Sequence, residues 1–284
     1  MRSRRLFIFA FLMPFATAHL ACSQQPASPP LPDIRQLMRE VHDHQKELEK
    51  ARENYTFSAQ LSIQELDSNG QTRKTESSEF EYFFVNGKPI GRQVKKDGKP
   101  LDEHAQQKET ERVTKLVENA QKVPPEKPKE NEEVSLGKVL EMADVRNPRR
   151  EIYRGRPTIV FDFVGRKDAK THGISEDVSK KLRGTVWIDE ADREVAHLEA
   201  TFDDNFHVGG GLVANVQKGS NFRFDQSLVN GEVWLPTGAE GTIQLRVLLV
   251  KGIHQHFVER DFDYKRFHVE AEQMKGANAV TEAK

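Results

Sequence analysis

The sequence predicts a mainly β (α+β) protein built on an antiparallel sheet, and three observations lead there. Apolar and polar residues alternate with period two, as in residues 193–202, where Ala196, Leu198, Ala200 and Phe202 oppose His197, Glu199 and Thr201. Turn dipeptides such as Asn86-Gly87 and Asn230-Gly231 punctuate the alternating runs. Residues 182–206 form a complete hairpin signature, with arms at 184–189 and 193–202 joined by Glu190-Ala191-Asp192. The same strand–turn rhythm continues to about Glu270.

Residues 1–21 read as a signal peptide. Arg2, Arg4 and Arg5 form its charged start, and the apolar run at 6–15 is too short for a permanent membrane span. Two exits compete. Ala16-Thr17-Ala18 is a small-x-small cleavage site, whereas His19-Leu20-Ala21-Cys22 is similar to a bacterial lipobox with Cys22 as the lipidation candidate. Cys22 is the only cysteine, so no internal disulfide forms. Under either exit the protein is exported, periplasmic or membrane-anchored facing the periplasm. Residues 22–32 are a Pro/Ser-rich tether.

Residues 33–270 read as a single domain. Over 33–53, Ile34, Leu37, Met38, Val41 and Leu48 recur at helical spacing behind Asp33, a natural N-cap. This helix is expected to pack on the sheet, with a membrane-surface role as the lesser alternative. Residues 55–66, 71–85 and 89–96 form a meander through Asp67-Ser68-Asn69-Gly70, Asn86-Gly87 and Asp97-Gly98. A helical insertion follows at 101–147. It holds a Glu/Gln/Lys-rich helix over 101–121 that covers a mouth or edge of the sheet, a charged loop at 123–133 and a short helix at 136–145. Strand character returns at 152–163, and 167–181 is a polar loop. Beyond the hairpin, strands are expected at 212–217, 220–228, 232–236, 242–251 and 255–264, and a polar tail at 271–284.

The chain has 284 residues with 43 basic and 44 acidic side chains, so no net field draws in nucleic acid. The charges alternate in sign and form no basic stripe. Gly209-Gly210-Gly211 lacks the Gly-Lys-Ser/Thr ending of a phosphate loop and reads as a connection between strands. Asp203-Asp204-Asn205 lacks the spacing of a calcium loop. His254 and His256 share a strand face, but two ligands do not make a metal site. His42 and His44 lie on different helix faces. No nucleophile motif, zinc motif or carboxylate pair can be nominated. The reading is therefore not an enzyme, with no catalytic residue, no cofactor and no metal.

The apolar surplus is more informative. Ile243, Leu245, Val247 and Leu249 share one face while Leu248 and Val250 take the other, and Trp187 lies opposite Val186 and Ile188. A sheet with one wet face has no need of strands apolar on both sides. Helices cover the second face, or that face lines a ligand cavity. Trp187, Phe202, Phe222, Phe224, Trp234 and Leu245 are the candidate apolar lining, each with a plain core role as its alternative.

Residues 184–202, then Val233-Trp234-Leu235-Pro236-Thr237, then Phe262-Asp263-Tyr264-Lys265-Arg266-Phe267 resemble a run in the outer-membrane lipoprotein carrier and receptor (LolA/LolB-like) superfamily. Asp97-Gly98-Lys99-Pro100-Leu101 before a Glu/Gln/Lys helix is similar to uncharacterised exported bacterial proteins grouped with it. The resemblance implies a curved antiparallel sheet, an unclosed half-barrel with helices packed on or plugging the concave face. It also implies a non-catalytic binding protein for an apolar ligand: an acyl chain, a lipid or a lipoprotein. The chain departs from the group by its insertion and by the lipidation candidate. The alternative function is a structural or interaction protein of the cell envelope with a filled β core and no ligand.

Overall fold

Period two in the sequence becomes one continuous antiparallel ladder. The computed structural model describes residues 29–122, 142–170, 173–208, 213–247 and 251–266. The signal peptide, Cys22, the loop at 123–133, the triple glycine, Leu248 to Val250 and the tail lie outside these residues. The strands are β1 (Tyr55–Leu66), β2 (Thr72–Val85), β3 (Lys88–Lys96), β4 (Lys99–Pro100), β5 (Ala143–Tyr153), β6 (Arg156–Gly165), β7 (Leu182–Asp189), β8 (Val195–Phe202), β9 (Phe206–Val208), β10 (Ala214–Val216), β11 (Asn221–Val229), β12 (Val233–Val247) and β13 (Lys251–Arg266). The helices are α1 (Ile34–Arg52), α2 (Glu103–Gln121) and α3 (Ile174–Ser179).

The thirteen strands form one sheet in the order β4-β3-β2-β1-β13-β12-β11-β8-β7-β6-β5, with β9 and β10 attached beside β12. Its two ends do not meet, so the fold is mainly β and the sheet is not closed into a barrel. The pairing of β1 with β13, from Tyr55 opposite Arg266 to Glu65 opposite Gln255, joins the first strand to the last.

Three expectations are corrected. The strand expected at 152–163 is the β5–β6 hairpin, turning at Arg154-Gly155 with φ of 48° and 80°. Both central residues of this turn type take positive φ, and the glycine supplies the second without strain. Arginine is an uncommon first residue there, which hides the turn in the sequence. The strands expected at 232–236 and 242–251 are one strand, β12, which runs through Pro236 and pairs with β11 across a bulge at Asp225/Gln226. The helix expected at 136–145 lies mostly outside the described residues. Ala143 to Asn147, the end of the expected insertion, already belong to β5.

Asp33 caps α1 by accepting the Gln36 backbone N–H at 2.9 Å. The apolar stripe of α1 buries Leu37, Met38 and Val41 against Ile159, Phe161, Phe163, Leu182, Val186, Ile188, Val195, Leu198 and Ala200. Its last turns meet a second cluster of Tyr55, Ala196, Val233, Trp234 and Leu235 through Leu48. The core therefore sits under α1, on one face of β6, β7, β8 and the start of β12.

Helix α2 serves the edge of β3. Strand β4 pairs only with Lys95 and Lys96, leaving the rest of that edge open. Glu109 accepts the Gln93 backbone N–H at 2.6 Å, and Arg112 donates to the Gly91 carbonyl at 2.5 Å. Side chains thus complete a ladder that no strand completes, which removes an edge prone to strand addition.

Candidate functional site

Residues opposite one another in an antiparallel ladder share a face. One row runs Phe163, Gly184, Ala200, Phe222, Gly241, Phe257 and Ile63 across β6, β7, β8, β11, β12, β13 and β1. The neighbouring row runs Val186, Leu198, Phe224, Ala239, Glu259 and Leu61. Both rows start under α1 with fully buried side chains. Both become half-buried at β11, and apart from the buried Gly241 they remain so through β13 and β1. Ile243, Leu245 and Ile253 extend this half-buried floor along β12 and β13. Rings lie over the glycines: a Cβ on Gly184 or Gly241 would stand 2.9 Å from the ring of Phe163 or Phe257. The sheet thus carries one apolar face, of which α1 seals one half and leaves the other half part-exposed.

Toward β2 the floor is aromatic. Phe57 stacks on Tyr82 at 4.8 Å between centroids and on Tyr264 at 5.1 Å, with Phe80 beside Tyr82 at 6.1 Å. The Tyr264 hydroxyl donates to the Pro236 carbonyl. Two carboxylates, Glu259 and Asp261, interrupt the apolar floor from the same face of β13. Burial pushes both carboxyls above their usual range, and the charge of Glu259 pushes Asp261 further. Asp261 Oδ1 is buried without a hydrogen-bond partner among the described residues. The raised carboxyls favour the protonated form, and a protonated carboxyl can donate a hydrogen bond to an ester or carboxyl oxygen.

The six candidate lining residues separate. Phe202, Phe222 and Phe224 pack half-buried against the core under α1, and Leu245 follows on the same face. Trp234 is 3% exposed in the second cluster, its Nε1 donating to Asp192 at 2.9 Å. Trp187 belongs to the opposite face. There its Nε1 donates to Glu151 at 3.0 Å, and its ring lies 4.8 Å from that of His197. Sequence reading missed Glu259, Asp261, Phe57, Leu61, Ile63, Phe80 and Phe257 as floor residues. The alternation in 55–66 and 255–264 marks their strands. That these strands lie side by side in mid-sheet has no local signal.

The opposite face is polar. Tyr153 stacks on His197 at 5.0 Å and donates to Asp225 at 2.6 Å, and His197 Nδ1 meets Asp225 at 2.8 Å. Burial alone would discharge both partners. Their hydrogen bonds more than offset it, raising His197 and lowering Asp225, which favours the charged form of each. Burial, then the bond to Asp225, pushes Tyr153 up to about 12. Asp225 also lines an open cleft of about 510 Å³ together with the charged side chains of Arg154, Arg223, Glu240 and Arg260. His256 approaches Thr242 at 3.2 Å and His254 approaches Gln244 at 3.2 Å. Among the described residues no three His, Cys, Asp or Glu side chains converge as metal ligands.

No protein-family profile and no curated protein sequence matches the chain. Solved structures do resemble it. One is a putative outer membrane lipoprotein-sorting protein domain from Vibrio parahaemolyticus: 11% identity, TM-score 0.31, covering 81% of this chain and 93% of that one. Another is a DUF1329 family protein from Desulfovibrio piger: 9% identity, TM-score 0.34, covering 84% and 97%. A third is a LolA superfamily protein from Nitrosomonas europaea: 10% identity, TM-score 0.26, covering 80% and 94%.

Proposed function

We propose that this chain is an exported, non-catalytic binding protein for an apolar ligand such as an acyl chain, a lipid or a lipoprotein. The observation that carries this reading is the loss of burial along rows that are apolar except at Glu259, from Val186 and Leu198 under α1 to Phe257, Ile63 and Leu61 beyond it. A sheet that ends its core halfway leaves apolar area in water, and each acyl CH₂ laid on it contributes about 0.8 kcal/mol. A protonated carboxyl of Glu259 or Asp261 supplies one polar contact for the oxygen-bearing end of such a ligand. Export follows from the signal peptide. Lipidated Cys22, where that exit is used, holds the domain at a membrane facing the periplasm.

Mass spectrometry of an organic extract of the purified protein is expected to find bound lipid. A fluorescent fatty-acid analogue is expected to bind, and Ile63→Ser with Phe257→Ser is expected to weaken it at least about tenfold, two lost side-chain contacts being worth more than 1.4 kcal/mol. An empty extract together with no probe binding would overturn the reading. The alternative, an envelope structural or interaction protein with a filled β core, is favoured by the rings of Phe163 and Phe257 lying over Gly184 and Gly241. It predicts that both serine substitutions cost stability alone.

A further inference from the structure

A cleft of about 780 Å³ opens between the first turns of α1 and the start of β5. Its floor is apolar, with Ile34, Met38 and Val145, and its rim carries Arg35, Arg39, Arg146 and Arg166. Arg35, Arg39 and Arg146 are exposed and form no ion pair with another described residue. Two acids share the cleft. Asp33 is engaged in capping α1, and Asp144 stands exposed on β5. The rim is thus net positive, and it surrounds the positive end of a nineteen-residue helix whose first turn holds no acid. Acidic side chains usually occupy a helix start because the aligned peptide dipoles favour negative charge there. Here Asp33 meets the helix start at the cap, and arginines from α1, β5 and the segment after β6 outnumber the two acids of the cleft, so the rim keeps a positive field toward an outside anion.

We infer that this cleft docks the domain on an anionic bilayer surface, its arginines meeting lipid phosphates and its apolar floor meeting the interface. Arginine suits phosphate oxygens through its planar, multidentate fork. An apolar floor ringed by cations suits the boundary between headgroups and acyl chains better than a free ion in water. The orientation also agrees with the chain, because the Pro/Ser-rich residues 23–32 run directly into Asp33 at this cleft. The inference does not depend on ligand binding at the half-covered floor, which lies along β11, β12, β13 and β1.

The test is co-sedimentation of the full exported chain carrying Cys22→Ser, so that no acyl anchor contributes. The vesicles are phosphatidylcholine with and without phosphatidylglycerol. Binding is expected only with phosphatidylglycerol and is expected to weaken with added salt. Arg35→Ser, Arg39→Ser and Arg146→Ser together are expected to reduce partitioning at least about tenfold, given the usual contribution of each basic residue near an anionic surface. The three Arg→Lys changes are expected to retain most of it, which separates charge from misfolding. Fatty-acid analogue binding is expected to be unchanged in all of these variants. Equal binding to both vesicles, no binding, or an undiminished serine variant would each overturn the inference. So would displacement by inorganic phosphate but not by chloride at equal ionic strength, since that marks a phosphate pocket and not a membrane surface.

Discussion

Trp187 and Trp234 show at the scale of single residues what alternation can and cannot say. Each indole N–H reaches a carboxylate, Glu151 or Asp192, on opposite sides of the sheet. The sequence already sets Trp187 against Val186 and Ile188. Which of the two faces receives α1 depends on residues almost 150 positions earlier, so the burial of either indole is invisible locally. Trp234 is enclosed by the second cluster, with the Arg156 guanidinium 5.4 Å from its ring centre. Trp234→Ala is expected to cost about 3–5 kcal/mol, the usual range for a buried tryptophan. Trp187→Ala, on the polar and part-exposed face, is expected to cost about 1–3 kcal/mol. Urea unfolding reads both. Probe affinity is expected to be unchanged in Trp187→Ala, because its ring does not touch the half-covered floor. A Trp187→Ala chain that kept its stability and lost its ligand would put the site on the wrong face.

Helix α1 is the element that decides which half of the sheet is core, and its far end rests on a buried acid. Glu194, at the start of β8, is fully buried and touches His44 Nδ1 at 2.8 Å through one oxygen, while the other has no hydrogen-bond partner among the described residues. Arg52 and His44 of α1 and Asp192 of the β7–β8 turn face it. Burial raises the Glu194 carboxyl from 4.5 to about 7 against the pull of Arg52 and His44. The folded chain therefore holds a proton that the unfolded chain gives up above pH 4.5. The stability linked to this proton is fully present below that pH, and it is lost as pH rises through about 7. Unfolding free energy is expected to fall between pH 5 and pH 8 by at most roughly 3 kcal/mol from this group. In Glu194→Gln the fall should be much smaller, and amide exchange in α1 should lose its pH dependence beyond the intrinsic chemical rate. A wild-type protein equally stable at both pH values would remove the role given to Glu194. The sequence showed α1 clearly and showed nothing of this contact, since a polar residue beside a turn ordinarily points into water.

At the scale of the whole molecule, the local periods were legible and the pairings were not. The meander from β1 to β3 and the β7–β8 hairpin could be read because neighbours in sequence are neighbours in the sheet. The β5–β6 hairpin was hidden by the arginine in its turn, and β12 was divided in two by Pro236 and its glycines. The central seam of β1 with β13 had no local mark, because Tyr55 and Arg266 stand at opposite ends of the domain. That seam also carries the candidate floor, since Leu61, Ile63, Phe257 and Glu259 meet only across it. Its closure must overcome the entropy of a loop nearly as long as the domain, and non-local β pairing of this kind folds slowly. Refolding from urea is therefore expected to show two stages in pulsed hydrogen exchange. Amides of β6, β7 and β8, with α1 packed on them, should be protected first, and those of β1 and β13 last. Probe binding should recover with the second stage, because the floor does not exist before the seam closes. Protection of β1 and β13 ahead of β7 and β8 would contradict this order and place the nucleus at the seam. Probe binding that recovered with the first stage would instead move the ligand site onto the half of the sheet beneath α1.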